Sequence, residues 1–393
     1  MSTTPATERP GAVDAWNMRL VGHSDLNGHG DGMHVNLKDG YAFVAHMGDS
    51  QVGTSVVDVS DPTRPRVVAE IETPAGTHSH KVQVVGDVLI VNHERYGVSP
   101  DASASCWSAG IKLYDVSKPD RPREVGFLPT PGKGVHRPTY WEPPYAYLSG
   151  TDEGFTDQFL IIADVSDPSR PREVGRWWMP GMHAAGSERP TWPEGRRYAL
   201  HHALVRGDRA YCGWWDAGLV ILDIADKSRP KLASHLDFGA RVSGCSHTAL
   251  PIPGKDVLIV TDESTANGCQ EVQKQVRVVD ISDERNPKVV ALFPVPEGDF
   301  CTRGGRFGPH NLHEMRPGTL VDRETVYLTY FNAGIRLVNI ADRLHPREVG
   351  YFIPEAPPGR ATIQLNDLIV GADGLIYVTD RFAGGLYILE RTA

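Results

Sequence analysis

The sequence has no run of about 18 apolar residues, the length an apolar helix needs to cross a bilayer, so no membrane partner is expected. Its opening stretch, MSTTPATERPGAVDAW, lacks the apolar segment and small-residue cleavage site of a secretory leader. That polar, Thr/Pro-rich composition predicts a disordered tail over residues 1–15 and a cytoplasmic protein. Basic residues are in deficit, 40 Lys+Arg against 49 Asp+Glu for a formal charge of -9. A nucleic-acid binder needs a basic stripe to neutralise phosphates, so that class is excluded. Cysteine is scarce: Cys106, Cys212, Cys245, Cys269 and Cys301 are odd in number, scattered and free of any CxxC. Such a set predicts reduced thiols, with neither a disulfide frame nor a zinc knuckle. Missing too are a P-loop, a GxGxxG turn within a βαβ unit, HExxH and a GxSxG elbow.

Present in excess are 40 glycines, 30 prolines and 16 histidines in 393 residues. Sparse helical periodicity with so much Gly and Pro points to an all-β chain. The chain also repeats itself. The segments VVDVSDPTRPRVV, LYDVSKPDRPREV, IADVSDPSRPREV, ILDIADKSRPKLA, VVDISDERNPKVV and LVNIADRLHPREV carry Asp58, Asp115, Asp164, Asp223, Asp280 and Asn339. In each, a proline follows seven residues later, at Pro65, Pro122, Pro171, Pro230, Pro287 and Pro346. The units recur every 50 to 60 residues or so, the spacing of four-stranded propeller blades. Within each unit the β-branched and aromatic runs separated by Gly, Asp and Pro turns read as strands.

A seventh unit is short by one strand: LNDLIV, GLIYVTD and GLYILE are followed only by the last residues to Ala393. Met18 to Gly22, MRLVG, matches the outer-strand text PREVG of the other units. The N-terminal strand is therefore expected to complete the C-terminal blade and close a seven-bladed β-propeller as a single domain over residues 16–393. VVDVSDP resembles the LVIVD-repeat propellers, named for the apolar strand that leads into an Asp-x-Ser-x-Pro turn. The resemblance spans nearly the whole chain and implies the fold; activity has to be argued from the site.

In a propeller the innermost strands enter from one face, termed the top here. Connections at the opposite face are short and uniform, while the long ones, 95–110, 151–158, 180–199, 264–275, 297–309 and 354–363, fall at the top. Long loops gathered at one end of a rigid scaffold are the usual setting for a site. At the starts of inner strands stand His34, His78, His80, His136, His201, His202, His247, His310 and His313, with Gln364, Asn366 and Asp367 in the seventh blade. Six blades thus aim imidazoles at one central pocket. Crowded imidazoles repel when protonated and leave lone pairs unsatisfied when neutral, and a bound metal resolves both problems. The expected ligands are four from His80, His136, His202, His247 and His313, with His34 and His310 in reserve. His23, His29, His46, His93, His183, His235 and His345 are read as surface or supporting residues.

Glu94, Asp262 and Glu314 are the candidate proton carriers, beside Glu263, Asp216 and Asp380 at other strand ends. Arg95, Arg137 and Arg381 suit an anionic substrate and Trp215 an aromatic or apolar one. An all-imidazole set favours iron, with copper, manganese or zinc as alternatives, over magnesium or calcium. The expected function is a metal-dependent oxidoreductase or oxygenase acting on a small organic molecule. Its outline is similar to the histidine-lined axial metal centres of carotenoid-oxygenase-like and selenium-binding-protein-like propellers. The alternatives are a hydrolase or lyase using metal-bound water, and a non-enzymatic propeller that binds a protein partner. The sequence carries no signal for an oligomeric state.

Overall fold

The computed structural model describes residues 12–47, 51–95, 107–239 and 244–393. It is an all-β ring of seven antiparallel sheets, as the repeat predicts. The first blade is Gly32–Lys38, Tyr41–His46, Val52–Asp58 and Arg66–Glu72, counted from the axis outward. The second to fifth blades begin at Thr77, Val135, His202 and Ser246 and end at Pro129, Trp177, Leu236 and Leu292, and the sixth contains Thr325–Thr329, Ile335–Asn339 and Arg347–Pro354. The seventh is Leu365–Val370, Ile376–Asp380 and Gly385–Arg391, closed by Met18–Ser24, which pairs antiparallel with the last of these.

The six Asp-to-Pro segments share one device. The side-chain oxygen of Asp58, Asp115, Asp164, Asp223, Asp280 or Asn339 accepts the backbone N–H two residues on, at 2.9–3.1 Å. This Asx turn needs a short polar acceptor, which is why the position never varies beyond Asp and Asn. Each turn leads into an outer strand, and four units place glycine at the same point of that strand or its equivalent: Gly22, Gly126, Gly175 and Gly350. A Cβ on Gly126 or Gly175 would run into the backbone of the next blade's turn, at Pro168 or Lys227 respectively. Blade-to-blade packing therefore fixes the repeat as much as strand pairing does. Apolar residues of adjacent sheets, such as Val44, Ile369 and Ile388, or Leu148, Val205 and Ile161, fill the spaces between blades.

Two expectations are corrected. Ala12–Trp16, placed largely in a disordered tail by the sequence, forms a strand against Arg347–Pro354 at the outer edge of the sixth blade. Asp14 there accepts a hydrogen bond from the Tyr351 hydroxyl at 2.9 Å. Cys269 and Cys301, expected as free thiols, form a disulfide, because loops 264–275 and 297–309 meet at the top face. Cys212 and Cys245 are free; Cys106 and part of the 95–110 loop lie outside the described residues. No helix among the described residues is long and apolar enough to cross a membrane.

Candidate metal centre

The inner strands do not enter the axis as regular strands. A bulge puts one extra residue at Met33, His136, His247 and Asn366, between the register pairs on either side. A bulge re-aims its side chain. Consecutive residues thereby both face the axis and form two stacked layers, an upper one of imidazoles and a lower one of mixed charge.

The upper layer is a chain of rings. His78 stacks on His80 at 3.8 Å, His80 meets His136 at 4.7 Å, and His136 meets His201 edge-on at 5.1 Å. His201 stacks on His247 at 3.7 Å, His247 tilts against His310 at 4.4 Å, and Phe331 closes the run against His310 at 4.7 Å. Partners of Nδ1 set the tautomers. The Glu94 carboxylate accepts from His136 Nδ1 at 2.8 Å, the His247 carbonyl from His201 Nδ1 at 3.1 Å and the Asn366 carbonyl from His310 Nδ1 at 2.6 Å. His247 Nδ1 lies 2.7 Å from the Thr248 hydroxyl. A carbonyl or carboxylate can only accept, so these rings carry their proton on Nδ1 and turn a bare Nε2 inward. Two such atoms, His136 Nε2 and His201 Nε2, stand 3.3 Å apart.

Glu263 reaches the same space, 3.6 Å from His310 Nε2 and 4.0 Å from His247 Nε2, held by Arg306 at 2.9 Å. Two groups of side chains bring one ligand atom each within 4.8 Å of one another: His78, His80 and Glu94, and His201, His247 and Glu263. Burial, followed by neighbouring cations and imidazoles, holds His80, His201, His247 and His310 well below 6.5, so they are neutral. Glu94 stays ionised despite its burial, because His136 and His78 stabilise its charge. Metal ligation requires both states.

The lower layer holds His34, Lys81, Arg137, His202, Glu314, Arg316 and Asp367, all buried. Glu314 bridges Arg137 at 2.6 Å and Arg316 at 2.7 Å, and Arg316 also donates to His34 Nε2 at 2.9 Å. Burial, then the Arg137 guanidinium, pulls the Lys81 ammonium down to about 7.

The expected residues therefore separate. His136 and His247 stand in the ring with bare or inward Nε2 atoms, and His80 stands beside them. His80 Nδ1 receives a hydrogen bond from Asn92 Nδ2 at 3.2 Å, while Asn92 Oδ1 is taken by the Lys81 N–H. His201 and His310 occupy the places expected for His202 and His313. His202 and His34 lie one layer down. His313 is turned aside, accepting from the Val370 N–H at 3.2 Å and donating to the Leu320 carbonyl at 2.8 Å, so neither nitrogen is available. Among the carboxylates Glu94 orients His136. Asp262 faces Arg277 at 2.8 Å, away from the axis, and its neighbour Glu263 faces the ring. Glu314 is consumed by the two arginines. Arg137 is part of that network, Arg95 lies outside over Trp107 at 5.2 Å, and Arg381 approaches the Phe331 ring at 6.0 Å. Trp215 stands 6.0 Å from His201 beneath Arg197. A cavity of about 730 Å³ opens at the bottom face instead, between Lys38, Asp87, Gly318 and Asp373, and holds none of the histidines.

Repeat, ring and closure define the class, a seven-bladed β-propeller. The LVIVD repeat family matches residues 29–73, 145–178 and 203–237. No curated protein matches the chain in sequence. Among solved structures, U3-55K is similar with a TM-score of 0.61 and 11% identity over 97% of this chain and 100% of that one. A hypothetical selenium-binding protein from Sulfolobus tokodaii gives 0.56 and 15% over 97% and 90%. The Cps50 (Swd1) β-propeller domain of Myceliophteria thermophila gives 0.58 and 11% over 94% and 98%. At these identities the likeness is one of fold.

Proposed function

We propose that His136, His201, His247 and His310 hold a transition-metal ion through Nε2, and that the protein is a metal-dependent oxidoreductase acting on a small organic substrate. One observation carries the reading: His136 Nε2 and His201 Nε2 face each other at 3.3 Å with their protons fixed elsewhere. Two lone pairs at that distance repel. A tetrahedral ion with bonds of about 2.0–2.1 Å sets its ligand nitrogens roughly 3.3–3.4 Å apart. His136, His201 and His310 also donate their other N–H to an acceptor, the arrangement by which proteins orient metal-bound histidine.

Neutral imidazoles favour iron, copper or zinc, and iron is the choice for activating dioxygen. When bound, such an ion supplies a Lewis-acidic or redox centre. Glu263, fixed by Arg306, is placed to hold a proton on its carboxylate beside the ring. Glu94 keeps His136 in its ligating tautomer, and Trp215 and Phe331 supply apolar walls.

Elemental analysis of purified protein tests this. The expected result is one transition-metal ion per chain, lost in His201→Ala and kept in His313→Ala; a metal-free wild type overturns it. Oxygen uptake then separates chemistries, since full activity with redox-inert zinc moves the assignment to hydrolysis or elimination.

A further inference from the structure

Away from the axis, one buried cation is poorly paired. Arg336, on Ile335–Asn339 of the sixth blade, is 4% exposed, as are Arg277 and Arg316. Those two meet carboxylates at 2.8 and 2.7 Å, and the buried Arg137 does so at 2.6 Å. Arg336 reaches Glu348 from Nη1 alone, at 3.3 and 3.4 Å, while its Nε donates to the Ala333 carbonyl at 2.9 Å. Its Nη2 makes no hydrogen bond among the described residues. A guanidinium stays charged at any ordinary pH, so a buried one with an idle donor is costly until an acceptor meets it.

Arg336 lines a cavity of about 450 Å³ between the loop that follows the fifth blade and the outer strands of the sixth. Because Nη2 is not sealed among buried atoms, it is open to that space. The guanidinium lies 4.6 Å from the Tyr351 ring and 5.5 Å from the Phe300 ring, both of which also line the cavity. Arg303 lies over the same Phe300 ring at 4.7 Å and is paired with Asp299 at 2.6 Å. Three carboxylates complete the lining. Asp14, brought there by the Ala12–Trp16 strand, accepts from the Tyr351 hydroxyl, and Glu348 faces Arg336. Glu297 has neither a hydrogen bond nor an ion pair among the described residues. The cavity therefore holds one idle cationic donor and one idle carboxylate beside apolar surface from Phe300, Val295 and Ile353.

We infer that this cavity between the fifth and sixth blades is a binding site for a small zwitterion, an α-amino acid with an apolar side chain. The ligand's carboxylate takes the free Nη2 of Arg336, its ammonium meets Glu297, and its side chain lies on the apolar surface. Charge-assisted bonds of this kind are the strong ones. A simple anion fits less well, because the lining already sets three carboxylates against two guanidinium groups. A simple cation would leave Arg336 idle. An amino acid satisfies both groups without changing the net charge, and the volume falls within the roughly 300–1,000 Å³ of small-molecule sites. No axial histidine lines this cavity, so the site stands apart from the metal centre.

Titration calorimetry on the full-length protein tests this with L-leucine and L-phenylalanine, each beside its amide, which lacks the carboxylate, and its N-acetyl derivative, which lacks the ammonium. At least one of the two amino acids is expected to bind, and both of its derivatives to bind about tenfold or more weakly. Arg336→Met should weaken the amino acid by a similar factor. Glu297→Gln, a change at an exposed position that leaves the core untouched, should weaken the amino acid but not its N-acetyl derivative. Binding of neither amino acid overturns the proposal, as does an amide that binds as tightly as its parent, or unchanged affinity in Glu297→Gln or in a folded Arg336→Met protein. In His201→Ala the affinity should be that of the wild type; its loss there would put the ligand at the axis and overturn the assignment to this cavity.

Discussion

At the scale of single residues, His313 shows how an imidazole can be held for structure. Its Nδ1 accepts from Val370 and its Nε2 donates to Leu320, so a second proton would set two N–H groups against each other. Burial above all, and then the Arg316 guanidinium, lowers it to about 4 from 6.5, against the raising effect of the Leu320 carbonyl. The folded state thus takes up the proton later than the unfolded chain, and stability rises with pH between about 4 and 6.5. As pH falls through that window, this group alone removes on the order of 3 kcal/mol. Urea unfolding at pH 7.5 and pH 5 is expected to show a smaller pH dependence in His313→Gln than in the wild type; equal slopes would refute the assignment. The contrast between His313 and His310, or His202 and His201, could not be read from residue type. Histidine at the start of six of the seven inner strands was legible. In four of the blades a one-residue bulge decides which side chain faces the axis, and a bulge leaves no mark in an apolar-polar pattern.

At the scale of the strand and turn, the repeat was almost fully legible because its chemistry is local. An Asp that accepts the N–H two residues on, with proline five residues beyond that N–H, is a backbone requirement written directly in residue types. The glycine of the outer strand has a different origin, since what it meets belongs to the neighbouring blade. In Gly175→Ala the new methyl would overlap the Lys227 carbonyl, and in Gly126→Ala that of Pro168. Backbone on both sides leaves little to yield, so each substitution should destabilise the protein by about 1–3 kcal/mol. Denaturant midpoints read this, and similar losses at the two positions are expected because the contact is the same in both blades. A change within error at either one would show that blades slide freely past each other at this contact. The disulfide was illegible for a related reason: Cys269 and Cys301 are 32 residues apart, on loops whose approach is set by how the fifth and sixth blades pack.

At the scale of the whole ring, stability depends on how the two ends of the chain meet. Met18–Ser24 lies antiparallel to Gly385–Arg391, with Met18 opposite Arg391 and Ser24 opposite Leu386. Removing residues 1–24 would expose the full hydrogen-bonding edge of that last strand and strip the fourth strand from the seventh blade. It would also uncover the Arg347–Pro354 edge that Ala12–Trp16 protects. An open edge beside an unclosed ring invites association in place of folding. The truncated protein is therefore expected to lose its cooperative thermal transition and to aggregate. The same register supplies the control. Because Met18 sits beside the C-terminal end, a chain starting at Asp25 and carrying Met18–Ser24 after Ala393 through a short turn would re-form the pairing as a hairpin. That permuted chain should recover a cooperative transition and the metal content of the wild type, since the axial layers need only a closed ring. If the truncated protein instead melts at the wild-type temperature, closure by the N-terminal strand is not what holds the inner strands on the axis.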